Sequence, residues 1–295
     1  MDRFAAVARE LSALSGVRCA VAPGRRIGAA SAGECYAWPC DAGTLFVKLA
    51  PVGARAVLEA EAAGLVELGR AGALRVPRVR ASGHTGTAAF LALEWLEAGR
   101  ADEACERRLG EGLAALHAVT AARFGWVRDN TIGRTPQANG WCEDWLEFFR
   151  ERRLRPQLTL AALNGFAGLL AGPGEQLLAV LPRLLGGHIP SASLLHGDLW
   201  GGNWLATAEG QPVIFDPAVY YGDRETDLAM TRLFGGFGAA FYRAYEAAAP
   251  CPPGAELRGE LYNLYHVLNH ANLFGGGYAR QARAMIERLL AHGRG

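Results

Sequence analysis

Three polar residues in SLLHGDLWGGNWLATAEGQPVIFDP (residues 193–217) stand at spacings that suit phosphoryl transfer from a nucleoside triphosphate. Asp198 lies in a glycine-rich loop, Asn203 follows it, and Asp216 ends the segment. Such a transfer needs one carboxylate to accept the proton of the attacking hydroxyl. It also needs an amide oxygen and a second carboxylate to hold the magnesium ions that bridge the phosphates. An aspartate in such a turn is, taken alone, a turn former. His196 with Asp198 is a weak metal site without a third ligand. Specificity lies in the composite. NWLAT, a turn at Glu209-Gly210 and PVIFD read as a hairpin, which returns Asp216 to the end of the sheet where Asn203 begins.

Composition picks out a fourth residue. Of 30 basic residues 29 are arginine, and Lys48 is the only lysine. It sits in TLFVKLA, an apolar strand-like run where a charge is expensive unless partnered. A site that needs a compact ammonium, where a guanidinium fork would not serve, explains that choice. Lys48 can then pair with the α- and β-phosphates, anchored by a glutamate on the following helix. Glu61 is preferred to Glu59, because it shares the face of Leu58, Ala62 and Leu65. IGAASAGECY, with Gly33, is the loop whose amides would cover the phosphates, although it is poor in glycine. LALEWLEAG (91–99) would be the hinge along the adenine edge.

These residues need elements to hold them. Strands are expected at 17–22, 33–38, 43–49 and 87–95, with one helix over 55–69 carrying Leu58, Ala62, Leu65 and Leu68 on one face. From Asp102, a candidate N-cap, the pattern turns helical, with a stripe of Leu109, Leu113 and Leu116. EDWLEFFRERRL reads as another helix, and two more flank a turn at Pro173-Gly174. A β interlude (193–216) follows, and helices resume from Thr226. The expected fold class is α+β: a small β-rich N-lobe (1–95) joined near Glu94–Gly99 to a larger, mostly helical C-lobe (96–295).

The chain of 295 residues has a formal charge of +1, which gives no electrostatic case for nucleic acid or a membrane surface. Its start lacks the apolar run of a signal peptide, so a cytoplasmic location is expected. The six cysteines are scattered without a C-x-x-C pair, which argues against disulfides and zinc. His117 and His266, on helical stripes, are expected to be packed or capping. Tyr262 and Tyr265 should be core. Arg224, Glu225 and Asp227 stand at a helix start, where acids favour the dipole, with a substrate or loop-anchoring role as the alternative. Cys35, at the phosphate loop, is expected to be an inert buried thiol, redox-sensitive only if its thiolate is stabilised there.

The chain resembles the fructosamine (ketosamine) kinases, relatives of the aminoglycoside phosphotransferases within the protein-kinase-like fold. The resemblance spans nearly all of it and is carried by EAEAAGL, LALEWLEAG, DNTIGRTPQANGW, LLHGDLWGGN and VIFDPAVYYGDRETDLAMTRLFGGF. It implies ATP and Mg²⁺ as cofactors, Asp198 as catalytic base, and Asn203 and Asp216 as metal ligands. Lys48 and Glu61 would be the phosphate-anchoring pair, Leu93, Glu94 and Trp95 the adenine hinge, and Trp200 a flat wall for the sugar. The implied substrate is a fructosamine or ribulosamine, free or on a protein amine, phosphorylated on its third hydroxyl in a deglycation reaction, with a monomer favoured. The glycine-poor loop and Trp204, where a smaller residue is more usual, depart from the pattern. The alternatives are an aminoglycoside or amino-alcohol kinase, an inactive nucleotide-binding scaffold and, more distantly, a hydrolase using His196 and Asp198.

Overall fold

The computed structural model describes residues 3–30 and 33–293. Its first part is helix α1 (Arg3–Ser15), a five-stranded antiparallel sheet and helix α2 (Arg55–Ala71). The strands are β1 (Arg25–Ala30), β2 (Gly33–Cys40), β3 (Gly43–Pro51), β4 (Val79–His84) and β5 (Ala88–Glu94), in the order β1-β2-β3-β5-β4. Strand alternation sorts the side chains of β3 onto two faces. Leu45, Val47 and Leu49 join Val7, Leu11 and Trp38 in the core under α1. Phe46 and Ala50 face Leu58 and Leu65 of α2. Lys48 falls in that second register, so the chain carries its only lysine towards α2 within an apolar layer.

The remainder begins with α3 (Glu103–His117), capped as expected by Asp102, whose side chain accepts from the Cys105 amide. Strands β6 (Thr120–Ala121), β7 (Asn130–Ile132) and β8 (Thr135–Gln137) follow. Next come α4 (Trp145–Phe149), α5 (Arg155–Ala161) and α6 (Ala167–Leu185), joined by π-helical turns at Arg150–Leu154 and Ala162–Phe166. Strands β9 (Ala192–Leu195), β10 (Trp204–Ala206), β11 (Pro212–Ile214) and β12 (Tyr220–Gly222) carry the loops of the site. Helices α7 (Glu225–Leu233), α8 (Ala239–Ala248), α9 (Ala255–Phe274) and α10 (Gly277–His292) close the chain. Their core is continuous with α3, α4 and β9 through Leu113, Trp145, Leu195, Phe241 and Tyr262.

Several expectations are corrected. Residues 17–22 form no strand, and Cys19 makes only an isolated bridge to Cys40. The outer strand is β1 instead, whose RRIGAA lacks alternation because it is an edge, where arginines remain in solvent. The amphipathic start folds as α1, burying Val7, Ala8 and Leu11. Pro173-Gly174 is no turn, because α6 runs through it. Proline leaves the carbonyl four residues earlier without its helical donor. Here that carbonyl, Leu169 O, accepts from Arg283 Nη1 at 3.0 Å. Gly174 packs so closely on Leu158 that a Cβ would meet it at 2.8 Å, so tertiary packing overrides the local turn signal. Among the described residues no helix is long and apolar enough to cross a membrane.

Candidate active site

Lys48 is 4% exposed, and its Nζ lies 2.7 Å from Glu61 Oε1 and 2.5 Å from Asp216 Oδ1. Burial pushes the ammonium down, but the two carboxylates outweigh it and hold Lys48 above its ordinary value. Glu59, the other glutamate considered, pairs with Arg55 at 2.6 Å on the surface.

The loop after β9 is built backwards from α7. Asp227 is buried at the first turn of that helix, and its carboxylate accepts from the amides of His196 (2.7 Å) and Gly197 (2.8 Å). His117 Nε2 lies 3.2 Å from the same carboxylate, and its Nδ1 is 2.8 Å from Tyr245 Oη. Asp227 therefore anchors the loop rather than only capping a helix, and His117 is the packed residue expected. Gly197 has φ +82°, and a Cβ there would stand 2.1 Å from Ala218 O. His196 is fully buried; its Nε2 reaches Phe215 O at 2.9 Å and its Nδ1 accepts from the Asp198 amide at 3.2 Å. With both ring nitrogens engaged by backbone, His196 has none for a metal, which removes the basis of the hydrolase alternative.

The hairpin of β10 and β11 pairs Trp204 with Ile214 and so brings Asn203 beside Asp216. Asn203 Nδ2 donates to Asp198 O (2.8 Å), Asp198 Oδ2 (3.3 Å) and Asp216 O (3.4 Å), which leaves its Oδ1 to accept other ligands. Asp216 is the one non-glycine residue with positive φ (56°) among the described residues. That backbone costs roughly 1–2 kcal/mol for an L-residue. Burial, and then the charge of Asp216, push the Asp198 carboxyl up to about 7. The Asp216 carboxylate and the free Asn203 Oδ1 are the hard oxygen donors that Mg²⁺ selects, and a cation there would offset the Asp216 charge that adds to the effect of burial on Asp198. The donor set therefore fits that ion.

Lys48, Glu61, Asp198, Asn203 and Asp216 all line one cavity of 320 Å³, with Trp200 and Gly33. A Cβ on Gly33 would meet Leu49 O at 2.1 Å, so only glycine lets the strands approach there. Ser31 and Ala32, within the expected phosphate loop, lie outside the described residues. Trp200 is 41% exposed and lies over Gly202, where any Cβ would strike the indole. Phe234 stands edge-on to it, with centroids 6.4 Å apart.

An adjoining slot of 480 Å³ is walled by Ile27, Phe46, Leu93, Trp95, Leu205 and Phe215 and reaches Lys48 and Asp216. Glu94 also lines it, but its carboxylate is committed to Arg75 Nη2 (2.9 Å) and the Arg78 amide (3.2 Å). Cys35 opens on the slot, and burial, stronger than the pull of Lys48, raises its thiol to about 11. It is a neutral thiol, not a stabilised thiolate. Trp204, the departure noted above, stacks on Phe237 and donates to Gly236 O at 3.1 Å, and so packs outward from the hairpin.

A family model of fructosamine kinase matches residues 3–292. The chain belongs to the fructosamine kinase family. A relative from Synechocystis sp., named a probable ketoamine kinase, is 49% identical over 246 residues, covering 83% of this chain and 82% of its own. A chloroplastic protein-ribulosamine 3-kinase of Arabidopsis thaliana is 40% identical, covering 85% and 77%. Within the family, a Thermobifida fusca crystal structure carrying the name fructosamine-3-kinase superposes with a TM-score of 0.85 at 34% identity, covering 97% of this chain and 98% of that one. An aminoglycoside phosphotransferase shares the fold at a TM-score of 0.62 and 15% identity, covering 98% and 99%. The two-lobed, protein-kinase-like α+β fold expected from the sequence is the fold observed.

Proposed function

We propose that this chain transfers the γ-phosphoryl of ATP to the third hydroxyl of a ketoamine sugar such as a ribulosamine or fructosamine. The observation that carries it is the convergence of Lys48, Glu61, Asp198, Asn203 and Asp216 on one cavity beside an apolar slot. The slot between Leu93 and Trp95 takes the adenine, and the N-lobe ends there, at residue 95. Lys48, steadied by Glu61, meets the α- and β-phosphates. Asn203 and Asp216 would hold Mg²⁺, which would neutralise phosphate charge there. Asp198 accepts the proton of the attacking hydroxyl, held in place from below by Asp227. A phosphate on C3 leaves once C1 loses a proton, since the electron pair of the resulting enaminol expels it. Water then cleaves the C1 imine and frees the amine, which makes the phosphorylation a deglycation step.

The identities of the relatives support a ketoamine over an aminoglycoside, and so does the cavity. A polycationic acceptor calls for an acidic face, whereas the carboxylates of this cavity belong to the catalytic set and its other polar or aromatic lining is Trp200, Asn130 and Thr131. A complete catalytic set also argues against an inactive scaffold.

Trp200→Ala tests the acceptor side. The indole positions one hydroxyl near Asp198, and misplacement by about 1 Å costs on the order of 10²-fold. The expected result is a fall of that order in kcat/KM for a ketoamine, with MgATP affinity and acceptor-free ATP hydrolysis unchanged. Equal loss of both reactions would make Trp200 packing for the loop.

A further inference from the structure

DNTIGRTPQANGW is a sequence signature to which the chemistry above assigns no work. It folds as the β7–β8 hairpin, with Asn130 opposite Gln137, Thr131 opposite Pro136 and Ile132 opposite Thr135. Alternation buries Asn130 and Ile132 and leaves Thr131 half-buried between them. Thr131 lines the cavity that holds Asp198, Asp216 and Trp200, as do Asn130 and Gly133. The Thr131 hydroxyl bonds to no protein group among the described residues, whereas the buried amides of the hairpin are tied to the backbone just beyond Asp216. Asn130 Nδ2 donates to Val219 O at 2.8 Å, and Gln137 Nε2 to Ala218 O at 3.1 Å. Gln137 and Asn139 both donate to Asn130 Oδ1 at 2.8 Å, and Tyr265 Oη donates to Gln137 Oε1 at 2.7 Å.

Behind this network stands Arg153, with no solvent exposure. Its Nη2 donates to Asn139 Oδ1 and its Nη1 to Ala138 O, each at 2.7 Å. Among the described residues it has no carboxylate partner; the rings of Tyr220 and Phe148 face it at 4.0 and 4.6 Å. A buried cation without a counter-ion is costly, and ring faces and carbonyls offset only part of that. Arg153 belongs to the π-helical turn Arg150–Leu154. Such turns concentrate at functional sites, where one extra residue re-aims a side chain.

We propose that the β7–β8 hairpin is the second wall of the acceptor site: the Thr131 hydroxyl hydrogen-bonds a hydroxyl of the sugar chain, and Arg153 is the positioning residue that fixes the hairpin. This deepens the ketoamine reading and rests on it. The test uses steady-state kinetics of the full chain with ribulosyl-lysine and fructosyl-lysine. Thr131→Val keeps the shape of the side chain and removes its hydroxyl. It should raise the ketoamine KM about three- to tenfold, the worth of one hydrogen bond, with the MgATP KM within about twofold. Arg153→Lys keeps the charge without the two-pronged fork. In the folded fraction it should raise the ketoamine KM similarly and again spare MgATP. An unchanged ketoamine KM in Thr131→Val, or a rise confined to MgATP, overturns the contact. An Arg153→Lys enzyme with wild-type ketoamine KM, or with both constants equally damaged, overturns the positioning role. A wild type that turns over neither ketoamine brings down the functional reading and this proposal with it.

Discussion

Asp198→Asn should leave MgATP binding nearly intact and lower turnover by roughly 10²–10⁴-fold, the usual worth of a positioned general base. The substitution is close to isosteric, and the loop does not depend on the carboxylate for its shape. Asp227 holds the backbone on one side, and Asn203 Nδ2 reaches Asp198 O at 2.8 Å on the other. What is lost is the ability to take a proton. Single-turnover phosphorylation together with nucleotide titration separates the two quantities. A variant that loses nucleotide affinity in step with rate would show that Asp198 is not the base.

Asp216 should behave differently, because its side chain is proposed to bind metal and its backbone is strained. Asp216→Ala removes the ligand and also leaves a Cβ residue at φ 56° without a carboxylate beside Lys48. Asp216→Gly removes the same ligand but relaxes in that conformation. Both variants should weaken MgATP binding and cut turnover by about 10²-fold or more, beyond the 10–100-fold cost of disturbing a residue that merely supports a metal ligand. Glycine should retain more thermal stability than alanine. Calorimetric titration of MgATP against metal-free ATP reads the effect. Equal affinities for both nucleotide forms in the wild type, or normal MgATP binding by the glycine variant, would remove Asp216 from the metal site.

Much of the candidate site was readable from residue type and spacing. Lys48 stood out as the one lysine, in an apolar run where a charge needs a partner, while the face it shares with the next helix is seen only in the packing of β3. The interval between Asn203 and Asp216 read as a hairpin because turn residues interrupt two short strands. Asp227 was visible only as an acid at a helix start, where capping and loop anchoring look alike until the β9 loop is seen above it. Arg153 gave no signal, since one arginine among 29 in an amphipathic helix looks solvated. The groups that meet it inside are Asn139 on the preceding hairpin and the ring of Tyr220, far along the chain. Helix α6 was misread for a related reason: the arginine that satisfies Leu169 O arrives from α10.

The most direct measurement is coupled ADP release by the purified wild-type chain across ribulosamines, fructosamines and aminoglycosides, with phosphorus NMR of the product. The account predicts MgATP-dependent turnover of at least one ketoamine and a phosphate on its third carbon. Turnover of an aminoglycoside with no ketoamine activity, or a phosphate on another hydroxyl, would contradict it.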